Sequence, residues 1–137
     1  LRLIVCGGRD FLNRAVVFAG LDLVHEWIWP ITHLIEGGQR TKHKGMTVGG
    51  ADFWGNRWAA ERDIRCTTVK ADWSTWKGQA GPMRNAAMLR LKPQVVVGFP
   101  GGSGTENMLD LARRDGVTRI VFDESGRLVP QDMQGCK

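Results

Sequence analysis

Tyrosine is absent from this 137-residue chain, and cysteine occurs only three times. Cys6, Cys66 and Cys136 stand far apart with no Cys-x-x-Cys pair, which argues against a disulfide framework or a zinc site and suits a reducing compartment. No apolar run approaches the ~18 residues of a membrane span, and no signal-peptide pattern opens the chain. A cytoplasmic protein with no membrane partner is the expectation. The chain begins directly on strand-like residues at Leu1, which reads as a short N-terminal trim. Repeats, low-complexity tracts and linkers are also missing, so the length predicts one domain over residues 1–137. His25 and His33 have no spaced partner, and both read as structural; no metal or other cofactor is expected.

Glycine is what the chain has in excess. Eighteen of 137 residues is roughly twice the usual ~7% share. Half of them fall in tight clusters: Gly7-Gly8, Gly37-Gly38, Gly49-Gly50 and Gly101-Gly102 with Gly104. The formal net charge is +5, which fits an anionic small molecule or nucleic acid without choosing between them. The only local concentration of positive charge is Arg40, Lys42, His43 and Lys44.

Apolar, β-branched runs predict strands at Leu1 to Cys6, Ile31 to Glu36, Arg65 to Lys70, Gln94 to Phe99 and Thr118 to Phe122. Helical spacing predicts helices from about Arg14 to Trp29, capped by Asn13, then Ala51 to Asp63, Ala80 to Leu91 and Ser103 to Asp115. The basic stretch Gln39 to Val48 is polar and aperiodic and reads as a loop. A turn at Asp123 to Gly126 leads to a short hairpin at Leu128-Val129. This alternation predicts a three-layer α/β domain with a mainly parallel sheet of about five strands. Ligands of such sheets bind beyond the carboxyl ends of the strands, where the glycine clusters fall. Close backbone amides and a helix N-terminus there suit phosphate best.

Pro100-Gly101-Gly102-Ser103-Gly104-Thr105 joins a strand to a helix and reads as an anion nest or as a tight turn with Ser103 as cap. The dinucleotide and Walker fingerprints do not fit it. Ala71-Asp72-Trp73, Ala80-Gly81-Pro82-Met83-Arg84-Asn85 with Met88, Ser103 to Met108, Gly8-Arg9-Asp10-Phe11 and Gly49-Gly50-Ala51-Asp52 together resemble the YspA, cpYpsA-related branch of the SLOG superfamily. The resemblance implies a Rossmann-like fold and a nucleotide or nucleotide-derived ligand. A looser resemblance joins Pro100 to Thr105 with the P-G-G-x-G-T-x-x-E motif of Lonely Guy (LOG) phosphoribohydrolases. Their catalytic glutamate falls here on Met108, and their catalytic arginine on Arg84.

The site expected on these grounds comprises Gly7, Gly8, Arg9, Gly50, Asp52, Trp73, Arg84, Asn85, Gly101, Gly102, Ser103, Gly104 and Thr105. Its use as a binder or sensor is one reading. The alternative is a nucleoside 5′-monophosphate N-glycosidase using Arg84, with Glu106 as a relocated acid or Asp52 in its place. Glu106 reads more readily as the distal half of a capping box with Ser103, and Asp52 equally as a charge favouring the start of its helix. Glu36 is a weaker third acid. Trp73 and Trp76 flank a polar loop and could stack on a base. Trp54 and Trp58, four apart on one helix, read as core or dimer contacts. A homo-oligomer, dimer or higher, is expected from the family. Nucleic-acid binding through the basic 39–48 segment is a further, less favoured alternative.

Overall fold

Leu3 and Val5 face one way from the first strand and Ile4 and Cys6 the other, and this alternation sorts the molecule into two cores. The computed structural model describes residues 1–130. β1 (Arg2–Cys6), β2 (His33–Glu36), β5 (Arg65–Thr68), β6 (Val95–Gly98) and β7 (Thr118–Phe122) are parallel, and β8 (Leu128–Val129) adds an antiparallel edge strand. The sheet order is β5-β2-β1-β6-β7-β8: the five expected strands, with the expected short hairpin at Leu128-Val129 supplying the sixth. Helices α1 (Arg14–Leu23) and α2 (Ala51–Glu61) cover Leu3, Val5, Val97 and Phe99 on one face. Helices α4 (Ala80–Leu89) and α5 (Ser103–Arg114) cover Ile4, Ile35 and Val96 on the other. Three layers result, as expected for a Rossmann-like domain.

Three local readings change. Gln39 to Val48 is not a loop: β3 (Thr41–His43) and β4 (Met46–Gly49) pair as a separate antiparallel hairpin. Lys44 (φ 50°) and Gly45 (φ 79°) make its two-residue turn, the left-handed pair that matches the twist of the flanking strands. The helix opened by Asn13, whose Oδ1 accepts the Val16 N–H at 3.2 Å, ends in a π-helical turn over Val24–Ile28. The polar segment between Trp73 and Trp76 is a short helix, α3 (Trp73–Trp76), running through a 3₁₀ turn into α4. Trp58 is fully buried and donates its indole N–H to Asp22 at 2.9 Å, so it belongs to the core. Trp27 and Trp29 are largely exposed. Among the described residues no helix is long and apolar enough to cross a membrane.

The chain travels outward from β1 through β2 to β5, then returns to β6 on the other side of β1. The loops after β1 and β6 therefore diverge to opposite faces, α1 on one and α5 on the other. A crevice opens between them, which is where open α/β sheets bind ligands.

Candidate functional site

The two loops at this crevice are stitched together at their base. Gly8 N–H donates to the Pro100 carbonyl at 2.8 Å, and the Gly8 carbonyl accepts from Phe11 and Ala51, both at 3.1 Å. Gly8 thus closes the loop rather than offering an amide. Gly101 lies against it: a Cβ there would collide with the Thr105 side chain and the Gly8 amide. That close approach is why the position takes glycine.

Above this base lies a cavity of about 630 Å³. Gly7, Gly8, Arg9, Asp52, Trp73, Arg84, Asn85, Gly102, Ser103, Gly104 and Thr105 all line it. Gly50 and Gly101 stand behind the wall, and Glu106 is exposed on α5 away from it. Gly50 serves as the start of α2, its N–H donating to Phe11 at 3.1 Å. The capping box does not form. Gly102 is the N-cap of α5, with no side-chain cap. Among the described residues the Ser103, Gly104 and Thr105 amides have no hydrogen-bond partner. The positive end of a 12-residue helix therefore faces the cavity with its first-turn donors unspent.

Arg84 projects from α4 and is 8% exposed. Its Nη1 donates to the Gly37 carbonyl at 2.7 Å and its Nε to Asn85 Oδ1 at 2.9 Å. The guanidinium lies so close over Gly37 that a Cβ there would stand 2.7 Å from Nη1. Among the described residues no carboxylate comes within 4 Å of it. Burial lowers its pKa, opposed by the more distant charges of Asp52 and Glu36 and by Cys6. Asn85 faces the other way as well: Nδ2 donates to the Gly104 carbonyl at 3.1 Å and to Asn107 Oδ1 at 2.9 Å. It clamps the start of α5 to α4 and holds both cationic walls in register.

Asp52, in the first turn of α2, is 5% exposed, and its Oδ2 accepts the Gln39 N–H at 3.1 Å. Burial, then the nearby Glu36 charge, pushes its carboxyl up to about 7, against the Gln39 amide, Arg84 and Arg40. Glu36 is fully buried and wholly committed. It accepts from Gly38 N–H at 2.6 Å, from Arg40 at 3.0 and 3.1 Å, from Asn56 at 3.2 Å and from the Thr68 hydroxyl. Its task is to anchor the root of the β3–β4 hairpin. Met108 lies in the core with Ile4, Ile35 and Met88, fully buried. Trp73 stands 55% exposed on the cavity rim, its ring end over Gly81.

Cys6, Gln39 and Asn107 also line the cavity, and the sequence did not single them out for it. Cys6 ends β1 immediately before Gly7, so its place at the strand's carboxyl end was the available signal. Burial, then the Asp52 charge, raises its thiol pKa. Asn107 lies four residues after Ser103 on α5, on the same helix face. Gln39 had no local signal.

A sequence model of YAcAr, the YspA, cpYpsA-related SLOG family, matches residues 1–76, more than half of the chain. The chain belongs to this family. The "Gene 61 protein" of Mycobacterium phage D29 is 30% identical over 132 residues, an alignment covering 90% of this chain and 97% of the phage protein. The SLOG family match ends at Trp76, so it takes in Gly7 to Asp10, Asp52 and Trp73, while Arg84 and the α5 wall lie beyond it. Membership points to a nucleotide-related ligand.

Proposed function

We propose that the chain binds a nucleotide or nucleotide-derived phosphate ligand in this cavity, acting as a binder or sensor. The observation that carries the reading is Arg84: a buried guanidinium with no carboxylate partner among the described residues, facing the same cavity as the Ser103 to Thr105 amides, which are likewise unspent among those residues. A buried unpaired cation is costly, and a bound phosphate would offset that cost while satisfying the helix donors. The volume, about 630 Å³, falls within the ~300–1,000 Å³ of small-molecule sites. Trp73 on the rim would meet the base, Asp52 the ribose hydroxyls. Titration with AMP, CMP, GMP and UMP tests it; saturable binding of at least one is expected, and binding of none refutes this ligand class.

A second reading is favoured by Asp52 alone. A cavity carboxyl with a pKa near 7 is suited to general acid–base work at neutral pH. In an N-glycosidase, Asp52 would donate its proton to the departing base nitrogen as the C1′–N bond breaks, then recover one from the water adding to C1′. Base and ribose 5-phosphate would be released, with Arg84 holding the phosphate. Glu106 does not reach the cavity and Met108 is core, so neither serves as the acid. Chromatographic assay of free base after incubation with each nucleotide separates the readings. Release that survives Asp52→Asn refutes this role for Asp52, and no release from any nucleotide removes the enzyme reading.

A further inference from the structure

Arginine can only donate hydrogen bonds, and this fixes which way two side-chain amides on the cavity wall are turned. Arg84 Nε donates to the Asn85 side chain at 2.9 Å, so the atom it meets is the carbonyl oxygen Oδ1. The other end of Asn85 is therefore Nδ2, which donates to the Gly104 carbonyl at 3.1 Å. A carbonyl can only accept, so both ends of Asn85 agree. The same Nδ2 meets the Asn107 side chain at 2.9 Å. A donor there requires an acceptor, so Asn107 turns its Oδ1 to Asn85 and keeps its own Nδ2 free. Among the described residues that Nδ2 has no partner, although Asn107 lines the cavity. Arg84 ends in the same state. Its Nη1 is held by the Gly37 carbonyl at 2.7 Å, and its Nη2 has no partner among the described residues.

Three sets of unspent donors thus face one cavity: Arg84 Nη2 from α4, the first-turn amides of α5, and Asn107 Nδ2 one turn further along α5. A single side chain ties them together. Asn85 holds Arg84 through Oδ1 and both Gly104 and Asn107 through Nδ2. The cavity carboxyls come from elsewhere, Asp52 from α2 and Asp10 from the loop after β1. A phosphate monoester presents three strong acceptor oxygens and about −1.5 to −2 charges near pH 7, one oxygen for each donor set. In a diester one of those oxygens is esterified, which leaves one donor set without an acceptor. Polar groups left unpaired in a buried site are what make it reject an analogue that lacks the matching atom. Resting on the nucleotide reading above, we propose that Asn107 is a phosphate-binding residue that selects a terminal phosphate monoester, with Asn85 as its positioning residue. Nucleoside 5′-monophosphates meet this requirement. Cyclic nucleotides and dinucleotides, whose phosphates are internal, do not.

The test is isothermal titration with AMP, CMP, GMP and UMP, each compared with its own 5′-phosphate methyl ester, with circular dichroism confirming the fold of each variant. Wild type should hold the best-bound monophosphate at least about tenfold more tightly than its methyl ester. Asn107→Leu removes the donor; it should lose about tenfold of monophosphate affinity and little of methyl-ester affinity, so the preference shrinks. Asn107→Asp keeps an acceptor for Asn85 Nδ2 while setting a carboxylate oxygen where the donor stood, and it should lose more than Asn107→Leu. A residue that acted only by steadying Asn85 would weaken both ligands alike when changed to leucine and would tolerate aspartate. Equal wild-type affinity for monophosphate and methyl ester overturns the proposal. So does an unchanged preference in Asn107→Leu, or wild-type monophosphate affinity in Asn107→Asp. Each of these leaves the nucleotide reading standing, whereas binding of no monophosphate overturns both.

Discussion

Replacing Asp52 by asparagine keeps the side chain's shape and its acceptor for the Gln39 N–H while removing the titrating proton. In the folded protein the carboxyl titrates near 7, because burial and the Glu36 charge disfavour its ionised form; in an unfolded chain it titrates near ~3.9. Folding therefore takes up a proton between those values, and stability falls as pH rises through that window. At ~1.4 kcal/mol per pH unit, the two units between about pH 5 and about pH 7 remove about 3 kcal/mol, and the loss levels off above that. This is a large share of the ~5–15 kcal/mol that holds a domain folded. Urea denaturation of the ligand-free protein at about pH 5 and about pH 8 reads it directly. Asp52→Asn should be the more stable protein at the higher pH, with its advantage shrinking by about 3 kcal/mol at the lower one. A variant no more stable than wild type at about pH 8, or an advantage equal at both values, would refute the claim that Asp52 is a strained carboxyl.

Met108→Glu should destabilise by several kcal/mol, because a carboxylate there enters the core with Ile4, Ile35 and Met88 without a partner; thermal melting measures it, and no gain of base release is expected. Gly101→Ala should cost about 1–3 kcal/mol in a urea melt and weaken nucleotide binding, since its methyl meets the Gly8 amide and Thr105. Asn85→Ala should cost about 1–3 kcal/mol by freeing the Gly104 carbonyl and Asn107, with a weaker nucleotide affinity by calorimetry as α5 loosens from α4.

Elements that bury both faces were legible in the sequence. LRLIVC and QVVVGF are continuous apolar runs because β1 and β6 lie at the centre of the sheet, and their bounds come within about two residues of the structure. The β3–β4 hairpin was not legible, since no residue from Thr41 to Val48 is buried. With neither face on the core, no alternation is imposed, and Gly45 after Lys44 was the only cue. The capping box failed for a related reason: Ser103-x-x-Glu106 satisfies the pattern, but the cap position belongs to Gly102. The glycine clusters located the cavity because backbone approach leaves a compositional trace. Gln39 leaves none, and Cys6 and Asn107 are marked only by position, at a strand's carboxyl end and one turn after Ser103.

The central claim is that Arg84 and the start of α5 hold a phosphate. Isothermal titration of wild type and Arg84→Ala with a nucleoside 5′-monophosphate and with the same nucleoside lacking phosphate tests it most directly. The account predicts that wild type prefers the monophosphate, and that Arg84→Ala loses about 10- to 100-fold of monophosphate affinity, the size of a hydrogen bond to a charged group, with nucleoside affinity little changed. Equal wild-type affinity for the two ligands, or monophosphate affinity untouched in a folded Arg84→Ala protein, would contradict it.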